Sequence, residues 1–143
     1  MTRPVPPRAR RAPWVRAGLA IVAVLTLALA GLRPVAAQEP AAELSDVLVV
    51  PRAGAVEVWV RLSAPATFAT LEIERPWRLV LDFAATRYRW RGGPLAPAQE
   101  PVRAIRGSQF TKDVARLVVE LSAKTSYTID QDREGLRIVF PAR

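Results

Sequence analysis

The stretch Ala115 to Phe140, ARLVVELSAKTSYTIDQDREGLRIVF, decides the fold because the chain contains it twice. Sliding the sequence by 59 positions without a gap lays it over VEVWVRLSAPATFATLEIERPWRLVL, Val56 to Leu81. Leu62, Ser63 and Ala64 fall on Leu121, Ser122 and Ala123 unchanged, and Phe68 falls on Tyr127. Arg78, Leu79, Val80 and Leu81 fall on Arg137, Ile138, Val139 and Phe140. Hydrophobic alternation alone would align Val58 with Leu117, but not the LSA turn or the spacing of two consecutive strands. A repeat sets what counts as one structural unit. Here the units are halves near 44–83 and 102–141, joined by 84–101.

Working outward, each half reads as strands. In the first, Leu44 to Val50 is an apolar run ending at Pro51. Val56, Val58, Val60 and Leu62 then alternate with Glu57, Trp59 and Arg61, the two-residue period of a half-buried strand. Trp59 is the misfit on its polar face, either a surface anchor or the sign of a second packing layer. Phe68 to Ile73 and Trp77 to Phe83 follow, the latter with Leu79, Leu81 and Phe83 on one face and Arg78, Val80 and Asp82 on the other. In the second half Val102 to Phe110, Val114 to Leu121, Ser126 to Ile129 and Leu136 to Phe140 repeat the plan, with Ala115, Leu117, Val119 and Leu121 inward. The connection 84–101 carries Gly92-Gly93-Pro94 and Pro97, which predicts an irregular crossing rather than another core strand. No segment holds a helical period. Short strands spaced by turn residues predict an all-β sandwich. The duplication predicts two symmetry-related sheets, one per repeat, with their inner faces buried together.

Residues 1–37 stand apart from this domain. Arg3, Arg8, Arg10, Arg11 and Arg16 precede an uncharged run from Ala17 to Ala30, and Val35-Ala36-Ala37 offers small residues at a cleavage spacing. That order reads as a secretory signal peptide. The run is shorter than the roughly 20 residues of a spanning helix, so no stable membrane span is expected after cleavage. An uncleaved inner-membrane anchor is the alternative. Residues 38–43 form a mature N-terminal lead and 44–143 the sandwich domain.

The signal also distorts the charge. The whole chain carries +8, but six of its 21 basic residues lie in 1–37 and all 13 acidic residues lie beyond it, leaving a remainder near +2. The basic balance is therefore not a nucleic-acid footprint, and an exported chain meets little nucleic acid. No cysteine is present, so the exported domain holds together by its core and sheet hydrogen bonds. Histidine is absent too, which removes the imidazole ligands of a zinc hydrolase and the base of the common triads. Asp130, Asp132 and Glu134 cluster in a hairpin turn, where carboxylates are ordinarily just solvated. The chain reads as a non-enzyme with no cofactor and no metal.

The order PWRLVLDF (76–83), VRAIRGSQF (102–110), DVARLVVEL (113–121), Tyr127 and LRIVF (136–140) closely resembles the AMIN domain family. The resemblance covers Leu44 to Phe140. It implies a small β-sandwich of two related sheets, of the kind found at the N-termini of periplasmic N-acetylmuramoyl-L-alanine amidases and type IV pilus secretins. It further implies a periplasmic location and a role in binding peptidoglycan and localising the protein. The family pattern falls on Pro76, Arg78 and Asp82, on Ile105, Arg106 and Gln109, and on Arg116 and Glu120. No catalytic or secretin domain follows Phe140 in this sequence, so the chain is expected to work alone, to recruit a partner, or to represent a shortened gene product.

Two ligand classes fit. Arg87, Tyr88, Arg89, Trp90 and Arg91 interleave guanidiniums with aromatic rings, which suits the carboxylates and sugar faces of peptidoglycan. With Arg106, Gln109 and Arg116 they form the candidate ligand-binding set. The same alternation also fits Tyr88 and Trp90 turned into the core, with only the arginines in water. Arg103 and Arg106, three apart on a strand, should point to opposite faces unless the strand bulges, and Arg106 is the expected outward member. The alternative partner is an envelope protein, such as a secretin or amidase, paired through an open sheet edge.

Overall fold

The structure is a computed structural model and describes residues 40–142. The signal expected over 1–37 and the start of the lead at Gln38 lie outside the described residues. The chain forms β1 (Ala42–Arg52), β2 (Ala55–Leu62), β3 (Phe68–Ile73), β4 (Trp77–Ala84), β5 (Thr86–Tyr88), β6 (Val102–Thr111), β7 (Val114–Leu121), β8 (Thr128–Gln131) and β9 (Gly135–Pro141). They build two sheets, β5-β1-β2-β9-β8 and β3-β4-β7-β6. The fold is an all-β sandwich. Between its sheets lie Val58, Val60, Ile138 and Phe140 from one side and Leu79, Leu81, Phe83, Ile105, Leu117 and Val119 from the other, all essentially sealed from water. Burying one such side chain is worth about 1.5–3 kcal/mol. The period-two strands are thus oriented by their apolar faces.

The expectation of one sheet per repeat is overturned. The hairpin β1-β2 of the first half pairs with β9-β8 of the second, and β6-β7 of the second half pairs with β4-β3 of the first. Each half therefore contributes a hairpin to both sheets. The physical reason lies in the connections. The link from β2 to β3 crosses from one sheet to the other, as does that from β7 to β8, so consecutive hairpins face each other instead of extending one sheet.

The ungapped register is also corrected. Ala69 pairs with Asp82, 13 positions on, whereas Thr128 pairs with Val139, 11 on. The second hairpin is two residues shorter, so Phe140 occupies the place of Phe83 rather than of Leu81. A slip of two preserves which face each residue occupies, and the alignment by hydrophobicity could not detect it.

The crossing 84–101 is more ordered than its composition predicts. β5 pairs in parallel with β1, and Thr86 is fully buried with its hydroxyl donating to the Ala84 carbonyl at 2.8 Å. Trp90 is 4% exposed and packs over Gly92 and Gly93, where a Cβ would come within 2.8 Å and 2.7 Å of its ring. Tyr88 lies on Gly107 of β6 in the same manner. Trp90 thereby joins the core, and Tyr88 packs against it.

Candidate binding surface

Residues directly paired in an antiparallel sheet share a face, so the register of the four-stranded sheet writes out its outer surface. The first row is Leu71, Val80, Val118 and Arg106 on β3, β4, β7 and β6. A second is Ala69, Asp82, Arg116 and Ser108, and a third is Ile73, Arg78, Glu120 and Ala104. Val80, placed by alternation on this face, is nonetheless buried between Leu71 and Val118. Arg78, Asp82, Arg106, Arg116 and Glu120, which lie up to 42 positions apart in the chain, meet on this one surface.

Their electrostatics differ. Arg116 donates to both oxygens of Asp82 at 2.7 Å and 2.8 Å, and Phe110 lies on its guanidinium at 3.4 Å. The hydrogen bonds from Arg116 hold the Asp82 carboxyl below its ordinary value, and the same bonds raise Arg116. This planar, two-point pair builds the surface. Arg106 is different: it is half exposed, and its contact with Glu120 is 3.8 Å, beyond hydrogen-bond range. The Nε of Arg78, directly opposite Glu120, is buried without a hydrogen-bond partner. β6 bulges between Val102 and Ala104, so Val102 and Ile105 both enter the core while Arg103 and Arg106 both face solvent. The condition under which both arginines could serve one surface is met. The face thus carries more guanidiniums than carboxylates, and Arg106 is its loosely held, half-exposed member.

The interleaved segment is divided by the fold. Tyr88 and Trp90 turn inward and meet edge to face, ring centroids 6.5 Å apart. Burial raises the Tyr88 hydroxyl pKa. Arg87, Arg89 and Arg91 remain in water, with Arg89 paired to Glu43 at 3.4 Å. Gln109 acts as a clamp: its side chain accepts from the Tyr88 N–H at 2.7 Å and donates to the carbonyls of Thr86 and Thr111 at 3.1 Å and 2.9 Å. Of the candidate set, Arg106 and Arg116 therefore come together on the sheet, Arg87 on β5 and Arg89 and Arg91 just after it stay exposed, and Tyr88, Trp90 and Gln109 hold the crossing in place. Arg78 and Glu120, recognised only as family-pattern positions, complete the surface. The signal for them was the cross-strand register, which the sequence does not display. In the acidic turn, Asp132 Oδ1 accepts from the backbone N–H groups of Glu134 and Gly135 at 2.8 Å and 3.0 Å, a turn-closing role.

The AMIN domain family profile matches residues 46–140. The chain belongs to the AMIN domain family. AMIN domains are in general non-catalytic, periplasmic localisation modules that act in the envelope with peptidoglycan or envelope proteins. No curated protein matches the sequence. Among the described residues no helix is long and apolar enough to cross a membrane.

Proposed function

We propose that this AMIN domain is a non-catalytic module that retains its protein at peptidoglycan in the periplasm, exported by the signal in 1–37. The observation that carries the reading is the convergence of Arg78, Arg106 and Arg116 on one sheet face, with Arg106 half exposed and beyond hydrogen-bond range of Glu120. Stem-peptide and lactyl carboxylates of peptidoglycan are planar anions repeated along a polymer, and they fit a fork of guanidinium donors better than an ammonium would. Exposed charge pairs are screened by salt, so retention falls as ionic strength rises. The test is co-sedimentation of the purified protein with insoluble sacculi. Wild type pellets, Arg78→Ala/Arg106→Ala stays largely in the supernatant, and Arg87→Ala/Arg89→Ala shows whether the β5 edge adds to binding. Wild type left in the supernatant at low salt refutes the proposal.

One observation favours a protein partner as the second reading. The long edge β6 is covered, since Leu95 and Ile105 exchange backbone hydrogen bonds at 2.8 Å and the Val102 N–H donates to Gln99. β3 is the other edge of that sheet, six residues long and mostly exposed, with Leu71 55% exposed. A strand added there would tolerate the arginine substitutions and be blocked by Leu71→Pro.

A further inference from the structure

The edge strand β3 carries none of the devices that ordinarily stop a free edge from pairing. Its sequence, FATLEI, contains no lysine and no proline, and it runs beside β4 without a bulge. Its counterpart in the duplication is guarded. β8 is shorter, at four residues, and Asp130 stands where β3 has Leu71, bonded to Arg137 at 2.9 Å. The part of β1 beyond its pairing with β5 is guarded too, by a bulge after Leu44 and by Asp46, Pro51 and Arg52. The exposed Trp59 belongs to no edge: it stands on the central strand β2, its indole N–H held by Glu57 at 2.9 Å. Leu71, more than half exposed, ends the outer-face row that runs through Val80 to Val118. The free backbone groups of β3 follow from one hydrogen bond. The Ala84 N–H donates to the Thr67 carbonyl at 2.9 Å, which makes these two a hydrogen-bonded pair. In the same register Ala69, Leu71 and Ile73 bond to β4, while Phe68, Thr70 and Glu72 turn their N–H and C=O groups away from it.

We propose that β3 pairs with β3 of a second copy of this chain, antiparallel about a two-fold axis through Leu71, so that two four-stranded sheets become one continuous sheet. This pairing rests on the reading of β3 as an open edge given above, and it commits that edge to one partner. The register is chosen by the side chains. An axis through Glu72 sets carboxylate against carboxylate, which is unfavourable, and an axis through Thr70 sets Glu72 against Phe68. With the axis at Leu71, Thr70 faces Glu72 of the second copy, hydroxyl to carboxylate, and these are the residues whose backbone groups are free to exchange hydrogen bonds. Ala69 faces Ile73 of the second copy, and Leu71 faces Leu71. The apolar row Val118, Val80, Leu71 then runs unbroken into its own copy, and the exposed leucine is covered. The axis is perpendicular to the sheet, so both outer faces point the same way. Arg78, Arg106 and Arg116 of both copies share one surface, and under the function proposed above a polymer of repeated carboxylates engages both sets at once.

The chain has no cysteine, so an introduced thiol reports only its own neighbour. Facing residues of an antiparallel pair that share no hydrogen bond lie about 4.5 Å apart between Cα atoms, within reach of a disulfide. In the full-length protein under mild oxidation, Leu71→Cys should form a linked dimer about tenfold or more faster than Leu48→Cys, a comparably exposed site on the other sheet. Ala69→Cys alone stays unlinked, and Ala69→Cys mixed with Ile73→Cys links. Without oxidant, sedimentation equilibrium shows the wild-type mass doubling as concentration rises. Leu71→Lys, at an exposed site, keeps the fold and does not double, which separates β3 from association through any other part of the chain. Equal rates at Leu71→Cys and Leu48→Cys, or doubling unchanged in Leu71→Lys, overturns the proposal and leaves β3 open to a different strand. Sacculus sedimentation reads the arginine face separately: selective linking at Leu71→Cys without pelleting supports the dimer and removes retention at peptidoglycan.

Discussion

Removing the Asp82–Arg116 pair tests whether the arginine surface is built or merely adjacent. The two side chains are 31% and 28% exposed, bonded at two points, and Arg116 is covered by Phe110. An open surface pair is worth about 0.2–1 kcal/mol, and a charge-assisted hydrogen bond about 1.5–3 kcal/mol. Partial burial and two-point geometry place this pair between them, near 1–1.5 kcal/mol of coupling. The assay is a double-mutant cycle with Asp82→Asn and Arg116→Met, measured by urea denaturation at pH 7 and low salt. For a domain of this size each kcal/mol is about 4–8 °C in Tm. The pair also sets a pH dependence. Asp82 is held below its unfolded value, near 3.9, because the native carboxylate is bonded to Arg116. Its contribution is therefore complete above that value and is lost as pH falls through the lower native one. Arg116→Met should flatten the acid limb of the stability curve between those limits. A coupling within error of zero, or an unchanged acid limb, refutes the assignment.

Two further outcomes follow from the packing. Gly135 has φ +149°, and a Cβ there would land inside the contact shell of the Val60 carbonyl on the neighbouring strand. Gly135→Ala should cost about 2 kcal/mol or more by forcing β9 from β2, read as a lowered denaturation midpoint with m unchanged. Gln109→Leu leaves the Tyr88 N–H and the Thr86 carbonyl without their partner, which should destabilise by about 1–3 kcal/mol and speed amide exchange in β5 before the rest of the sheet; uniform exchange throughout would reject the clamp.

How much was legible is clearest from particular residues. Val56, Val58, Val60 and Leu62 were readable as one buried face, because a two-residue period leaves no other solution for a strand with water on one side. The duplication was readable from the LSA turn. The Arg87–Arg91 segment was not: its alternation permits rings inward or outward, and the decision came from Gly92, Gly93 and Gly107, bare backbone on which Trp90 and Tyr88 could lie. Arg103 was misplaced by strict alternation because a bulge adds one residue to one strand only.

The sequence by itself determined the class of the fold, the two related halves, the core positions and the absence of imidazole and thiol chemistry, since composition and periodicity are local properties. Tertiary structure decided which hairpin each half pairs with, the two-residue slip of β9, and which charges meet. Arg78, Glu120 and Arg106 are neighbours only through the register of three strands. Pairing between distant segments is chosen by the burial of both inner faces at once, a condition that no single stretch of the chain contains.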